Sequence, residues 1–253
     1  MTRFVSLPNL PVNAAHVILG EPYRPLLDYP LRKLGISPLY VPENPLVDCR
    51  LRGHADLSIV HIGGAQLVLA PFLRNSQFAA ALSALGCELR YAEIAQGREY
   101  PQDAQLNICV WGNFWLGSPK TAASELRQIC ASREKATWIS VKQGYARCAC
   151  CLVDSLSMIS ADKGIAKALS AYDTEVLEIL PGSIALPGFP YGFLGGSACK
   201  LSEHVLAFTG HLDAHPDKSA ILDFLAAREI EAIYLTDMPA FDIGGAIPLT
   251  ERS

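Results

Sequence analysis

The sequence predicts a single α/β domain, residues 1–253, made of five degenerate ββαβ units set around a pseudo-fivefold axis, with the N- and C-terminal segments closing one unit. Three observations carry this. One pattern (strand, turn, strand, amphipathic helix, stop, strand) recurs at intervals of about 40 residues, inside the range of repeat architectures. Most units place two strands before each helix, which a doubly wound parallel sheet does not do. The N-terminal stretch is an incomplete unit, and its missing strand can come from the C-terminus. A ring closed by both termini removes the exposed edges of a linear array. An ordinary α/β sandwich with a mixed sheet is the competing reading.

The units follow in order. In residues 14–42 plus 242–249, HVILG and SPLYVP read as strands around a helix carrying Leu27, Leu31 and Leu34, and DIGGAIPL supplies the remaining strand. Residues 53–94 are the clearest copy. HADLSIVHI and AQLVLAP flank a GG turn, Phe78, Ala81, Leu82 and Leu85 make a helical stripe, Gly86 stops the helix, and CELRYAEI follows. Residues 105–142 pair LNICVWG with FWLGS; Ser118-Pro119 reads as the helix start, Leu126, Ile129 and Cys130 as its apolar face, and TWISVK as the closing strand. Residues 145–183 give ARCACCLVD, LSMISA, a helix with Ile165, Ala168, Leu169 and Tyr172, then TEVLEIL. Residues 195–237 give GGSACKLS, HVLAFTG, a helix with Ile221, Phe224 and Leu225, then IEAIYLT.

Composition bounds the function. Half the residues are hydrophobic, enough for a large core, and the net charge is −4 without a basic run. That argues against a nucleic-acid or anionic-membrane partner. No stretch is long and apolar enough to span a bilayer, and the proline-broken N-terminus is a poor signal peptide, so a cytoplasmic location is expected. The eight cysteines include no pair of CxxC motifs, which makes a structural zinc site unlikely to arise from them; buried small apolar residues are the expectation. No cofactor is expected, and the oligomeric state is open.

The five units, the closing GG-containing strand and the segments VKQGYARC, YGFLGGSACKL, FTGHLDAHPD and FDIGGAIPL resemble the pentein, or guanidine-modifying-enzyme, fold, and within it an uncharacterised bacterial family. That fold includes arginine and agmatine deiminases, amidinotransferases and dimethylarginine dimethylaminohydrolases. The resemblance implies a catalytic Cys in the last strand after the GG pair and a His opening the fourth unit. This chain has Pro248 and Leu249 after Gly244-Gly245, and Lys142-Gln143-Gly144-Tyr145 where the His belongs. Neither role carries over, and no arginine deiminase, agmatine deiminase or dimethylarginine hydrolase activity is expected.

Ring closure would bring the starts of the first strands together. The residues expected to line a ligand site there are His54, Asp56, Asn107, Lys142, Gln143, Tyr145, Gly195, Gly196 and Asp242. Convergent polar groups and glycines suit a small ligand. Asp56 and Asp242 would repel unless a cation lay between them, which suggests a guanidino, amidine or amino-acid-like partner. Cys148 is the remaining nucleophile candidate, its thiol activated by Lys142, Arg147 or a nearby His; the bland reading is an inert thiol sharing one face of an apolar strand with Cys150. In GHLDAHPD, His211 and Asp213 are further catalytic candidates and, with His215, candidate metal ligands; the competing reading is a loop in which Asp213 or Asp217 charges a helix start. The three function classes are thus a ligand-processing protein, a non-catalytic binding module and a metal-assisted hydrolase.

Overall fold

In the computed structural model, which describes residues 1–252, the chain forms five separate small β-sheets. The first holds β1 (Thr2–Phe4), β2 (Ala14–Gly20), β3 (Ser37–Val41) and β16 (Ile247–Arg252), in the order β1-β16-β2-β3. The second holds β4 (Ile59–His61), β5 (Gln66–Leu69) and β6 (Glu88–Tyr91); the third β7 (Cys109–Trp111), β8 (Phe114–Gly117) and β9 (Thr137–Ser140). The fourth holds β10 (Cys151–Leu152), β11 (Ser157–Ser160) and β12 (Glu175–Glu178); the fifth β13 (Ala198–Ser202), β14 (Val205–Phe208) and β15 (Glu231–Tyr234).

Every sheet has the same wiring. Its leading strand pairs antiparallel with the next, and that strand pairs parallel with the one beyond the helix. A parallel pair needs a crossover, and a helix supplies it each time: α1 (Arg24–Lys33), α2 (Gln77–Ala84), α3 (Ser124–Ala131), α5 (Lys163–Leu169) and α6 (Lys218–Ala226). In the first sheet the leading strand is β16, with Ile247 opposite Ile18 and Pro248 opposite Val17, so the last strand completes the unit begun by β2. The sequence reading missed β1, which adds to the outer side of β16 through Thr2–Arg252 and Phe4–Thr250.

The core is divided among the gaps between sheets. Five clusters of buried side chains each join two neighbours: first with second (Ile18, Leu249, Ile59, Leu69), second with third (Val60, Trp115), third with fourth (Trp111, Met158), fourth with fifth (Ile159, Phe208) and fifth with first (Ala207, Leu19). The succession is cyclic. Among the described residues, no helix is long and apolar enough to cross a membrane.

Four local readings are corrected. ARCACCLVD is not one strand: Ala146–Ala149 make a helical turn, α4, and only Cys151–Leu152 pair in the sheet. The leading part of HADLSIVHI is likewise a 3-10 turn, Ala55–Leu57, before β4. Ser118-Pro119 does not start α3, which begins at Ser124 with Ala123 ahead of it; the Ser118 carbonyl instead accepts from the Thr121 and Ala122 N–H groups in a turn. Leu27 and Leu31 are buried in α1, but Leu34 lies at its C-cap and is exposed.

Candidate functional site

Two segments deliver the site. The 3-10 turn before β4 carries His54 and Asp56, and α4 carries Cys148. A four-residue helix is not stable alone, and Tyr145 at its N-cap makes no side-chain cap bond. Asn107, from the third unit, does that work. Its Oδ1 accepts from the N–H groups of Arg147 at 2.8 Å and Cys148 at 3.3 Å, while its Nδ2 donates to Cys148 Sγ at 3.5 Å. Two orphan donors of the helical turn are thus satisfied from another unit, and the thiol is aimed.

It is aimed at Asp56. The Cys148 thiol donates to Asp56 Oδ2 at 2.7 Å. One ligand-type atom each from His54, Asp56 and Cys148 lie within 4.8 Å of one another. All three residues are buried, at 3%, 1% and 3% exposure. His54 Nδ1 faces Asp242 Oδ1 at 3.9 Å, while His54 Nε2 and Asp56 Oδ1 have no partner. Asp242 is held by the N–H groups of Phe193 and Gly244, at 2.8 and 2.9 Å. Gly244 has φ of +73°, a region costly for other residues, and a Cβ there would stand 2.6 Å from Asp56 Oδ1.

The electrostatics follow from burial. Desolvation raises the Asp56 carboxyl from 3.8 to about 6; His54 and the Cys148 hydrogen bond oppose the shift, and Asp242 adds to it. The Cys148 thiol is pushed well above its usual value by burial and by the charges of Asp56 and Asp242. The expectation that Lys142, Arg147 or a His activates it is therefore corrected for this state. Lys142 is exposed and lines a surface groove with Tyr100, Ser118 and Lys167. Arg147 is buried and spent on Asn9 Oδ1 and on the carbonyls of Cys150, Gly195 and Ala246.

His54, Cys148 and Asp242 form the polar side of a cavity of about 260 Å³. Its remaining walls are Leu51, Leu57 and Tyr145 and a strap containing Leu186, Phe189 and Tyr191. No lysine or arginine lines it. Tyr145 is fixed by donating to Asp103 Oδ2 at 2.6 Å. Asn107 does not reach the wall, because its side chain is used in holding α4. Gln143 bonds Asp162 and the Tyr145 N–H and lines a neighbouring space of about 120 Å³. Gly195 and Gly196 admit close packing: a Cβ on Gly196 would lie 2.0 Å from Asp242 Oδ1. The strap was missed by the sequence reading; its signal was the run of Pro, Gly and aromatic residues in ALPGFPYGFL, between the fourth and fifth units.

GHLDAHPD lies elsewhere. His211 packs on the Tyr234 ring with centroids 4.4 Å apart, Asp213 pairs with Lys218 at 2.6 Å, and His215 Nδ1 accepts from the Asp217 N–H. Among the described residues the set that converges as metal ligands is His54, Asp56 and Cys148, and His211, Asp213 and His215 form no such set. Asp217 stands at the N-cap of α6 without a cap bond, its carboxylate accepting from the Leu180 N–H.

The fold defines the class: the chain has the pentein fold. It superposes on the amidinotransferase SxtG of the saxitoxin biosynthetic pathway from Microseira wollei, with a TM-score of 0.59, 11% identity, and 99% and 98% of the two chains covered. It superposes similarly on inosamine-phosphate amidinotransferase from Streptomyces griseus (0.58, 10%, 99% and 98%) and on the dimethylarginine dimethylaminohydrolase of Pseudomonas aeruginosa (0.54, 12%, 92% and 96%). These likenesses are of fold. By sequence, residues 22–247 match a family of unknown function (DUF6873), and the chain belongs to it. No curated protein matches the chain by sequence.

Proposed function

We propose that this protein takes a small organic cation, a guanidino or amidino compound with an apolar substituent, into the 260 Å³ cavity, and that Cys148 attacks its central carbon. The reading includes the arrangement of the five sheets as blades around a pseudo-fivefold axis with the cavity at its centre, which the cyclic succession of core clusters supports. One observation carries the chemistry: a thiol, an imidazole and a carboxylate converge within 4.8 Å beside a cavity that has a second carboxylate and no basic side chain. The Asp242 carboxylate on the cavity wall, with the Asp56 carboxylate behind Cys148, favours a cation. The apolar strap and the lack of lysine or arginine leave nothing to hold an α-carboxylate, so free arginine is a poor fit and a hydrophobic substituent a good one.

The steps balance on these residues. The amidinium donates to Asp242. Its charge offsets those of Asp242 and the nearby Asp56 and lowers the cost of forming the thiolate. The thiol proton, donated to Asp56 Oδ2, is relayed through that carboxylate to His54, and Sγ bonds to the amidine carbon. The carbon–nitrogen bond then breaks, and the departing amine takes the proton from His54. Water or a second amine resolves the S-linked adduct. The thiol and imidazole thus come from α4 and the turn before β4, not from the closing strand and the opening of the fourth unit.

One observation favours a second reading, a binding module without turnover: burial and the charges of Asp56 and Asp242 push the Cys148 thiol well above its usual value. Intact-mass measurement separates the two. Incubation with alkyl and aryl amidines or guanidines should give one adduct per chain or turnover, both abolished by Cys148→Ser. Stabilisation by these compounds without adduct or turnover would support the binding module. No stabilisation and no adduct with any of them would overturn both.

A further inference from the structure

We propose that His54, Asp56 and Cys148 form a binding site for one divalent, thiolate-accepting metal ion, for which zinc is the best match. Four observations meet there. The donors are one nitrogen, one oxygen and one sulfur, a mixed set suited to a borderline-soft ion. Their ligand atoms already lie within 4.8 Å of one another. Zinc bond lengths of about 2.0–2.3 Å put tetrahedral ligand atoms roughly 3.5 Å apart, so small side-chain shifts close the site. Two donor atoms, His54 Nε2 and Asp56 Oδ1, are buried and unpartnered, which is costly unless something binds them. Finally, the other imidazole nitrogen, Nδ1, faces the Asp242 carboxylate at 3.9 Å. A carboxylate that hydrogen-bonds the far side of a ligating histidine orients the ring and strengthens its outward nitrogen, and Asp242 is placed to do so on closing from 3.9 Å to hydrogen-bond distance.

The ion would replace the proton between Cys148 Sγ and Asp56 Oδ2, now 2.7 Å apart. Thiolate and carboxylate neutralise a divalent charge. Asn107 Nδ2, 3.5 Å from the sulfur, stays available as an outer donor to the thiolate. His54 and Cys148 line the cavity, so with three protein ligands a fourth would be supplied from there, as in an open rather than a structural site. Because metal and proton compete, affinity must rise with pH. The inference stands independently of the organic ligand. The two occupants exclude each other, since metal ligation takes both the Cys148 lone pair and Asp56.

The test is cobalt binding to chelator-treated full-length protein. One equivalent of Co²⁺ should give a sulfur-to-cobalt charge-transfer band and tetrahedral visible bands, both displaced by Zn²⁺. Cys148→Ser should remove the charge-transfer band, Cys49→Ser should leave it, and Asp242→Asn should weaken Zn²⁺ binding by about 10–100-fold. X-ray absorption at the zinc edge of the wild-type protein, which needs no variant to fold, should show one sulfur among nitrogen and oxygen ligands. No band, a band lost in Cys49→Ser and kept in Cys148→Ser, or a sulfur-free zinc shell would overturn the site. Amidine binding to metal-free protein is read separately by calorimetry: loss of the cobalt signal with amidine binding intact sinks only the metal site, and the converse sinks only the organic ligand.

Discussion

Asp56 is where burial and charge oppose each other most directly. Its carboxyl rises from 3.8 to about 6 chiefly through desolvation. A folded-state value above the unfolded one means that the native protein binds the proton more tightly. The contribution is therefore present below about pH 4 and is lost as pH rises through about 6, an effect on the order of 3 kcal/mol. Asp56→Asn should flatten the dependence of stability on pH across that window and leave the variant more stable than wild type above it, as read by urea denaturation at a series of pH values. Unchanged curves would mean that the charge is already compensated. By the same reasoning, binding of an organic cation should tighten as pH rises through about 6. His54, Asp56 and Asp242 were legible in the sequence as polar residues at strand starts. The pairing of Asp56 with Cys148 was not, because 92 residues separate them and only packing between units brings them together.

At the scale of elements, the sequence reading succeeded where a segment carries its own pattern and failed where a neighbour decides. The stripes of Leu27 and Leu31, of Ile165 and Leu169, and of Ile221 and Leu225 produced helices with those residues buried. The α4 turn went unseen because ARCACC reads as an apolar strand and its capping oxygen belongs to Asn107, in a different unit. The Gly195–Ser197 turn is set in a similar way, by crowding against α4 and Asp242. Gly196→Ala should expose that dependence. Its methyl would meet Asp242 Oδ1 at 2.0 Å, displacing the carboxylate that faces His54. Overpacking of this kind costs about 1–3 kcal/mol, and cation binding should fail as well. Chemical denaturation together with ligand titration checks both, and wild-type affinity in the variant would show that Asp242 has no part in binding.

Across the whole molecule, stability depends on the joint between the first unit and its neighbours. Leu249, fully buried in β16, packs in the cluster that also contains Ile18 and Leu69. Glu251 is buried in the same strand, accepting from Arg3 Nε at 2.9 Å and the Val12 N–H at 2.7 Å. Leu249→Ala should cost about 2–5 kcal/mol, and if the cyclically linked cores unfold as one unit, the urea transition should stay single and shift. Two separated transitions would show instead that the sheets melt independently.

The place of β16 between β1 and β2 also sets an order in time. His16 and its partner Thr250 are 234 residues apart. A ribosome therefore releases the apolar strand HVILG long before its hydrogen-bonding neighbour. Until β16 emerges, β2 must wait with an unpaired edge, which is the situation in which nascent chains recruit chaperones or associate wrongly.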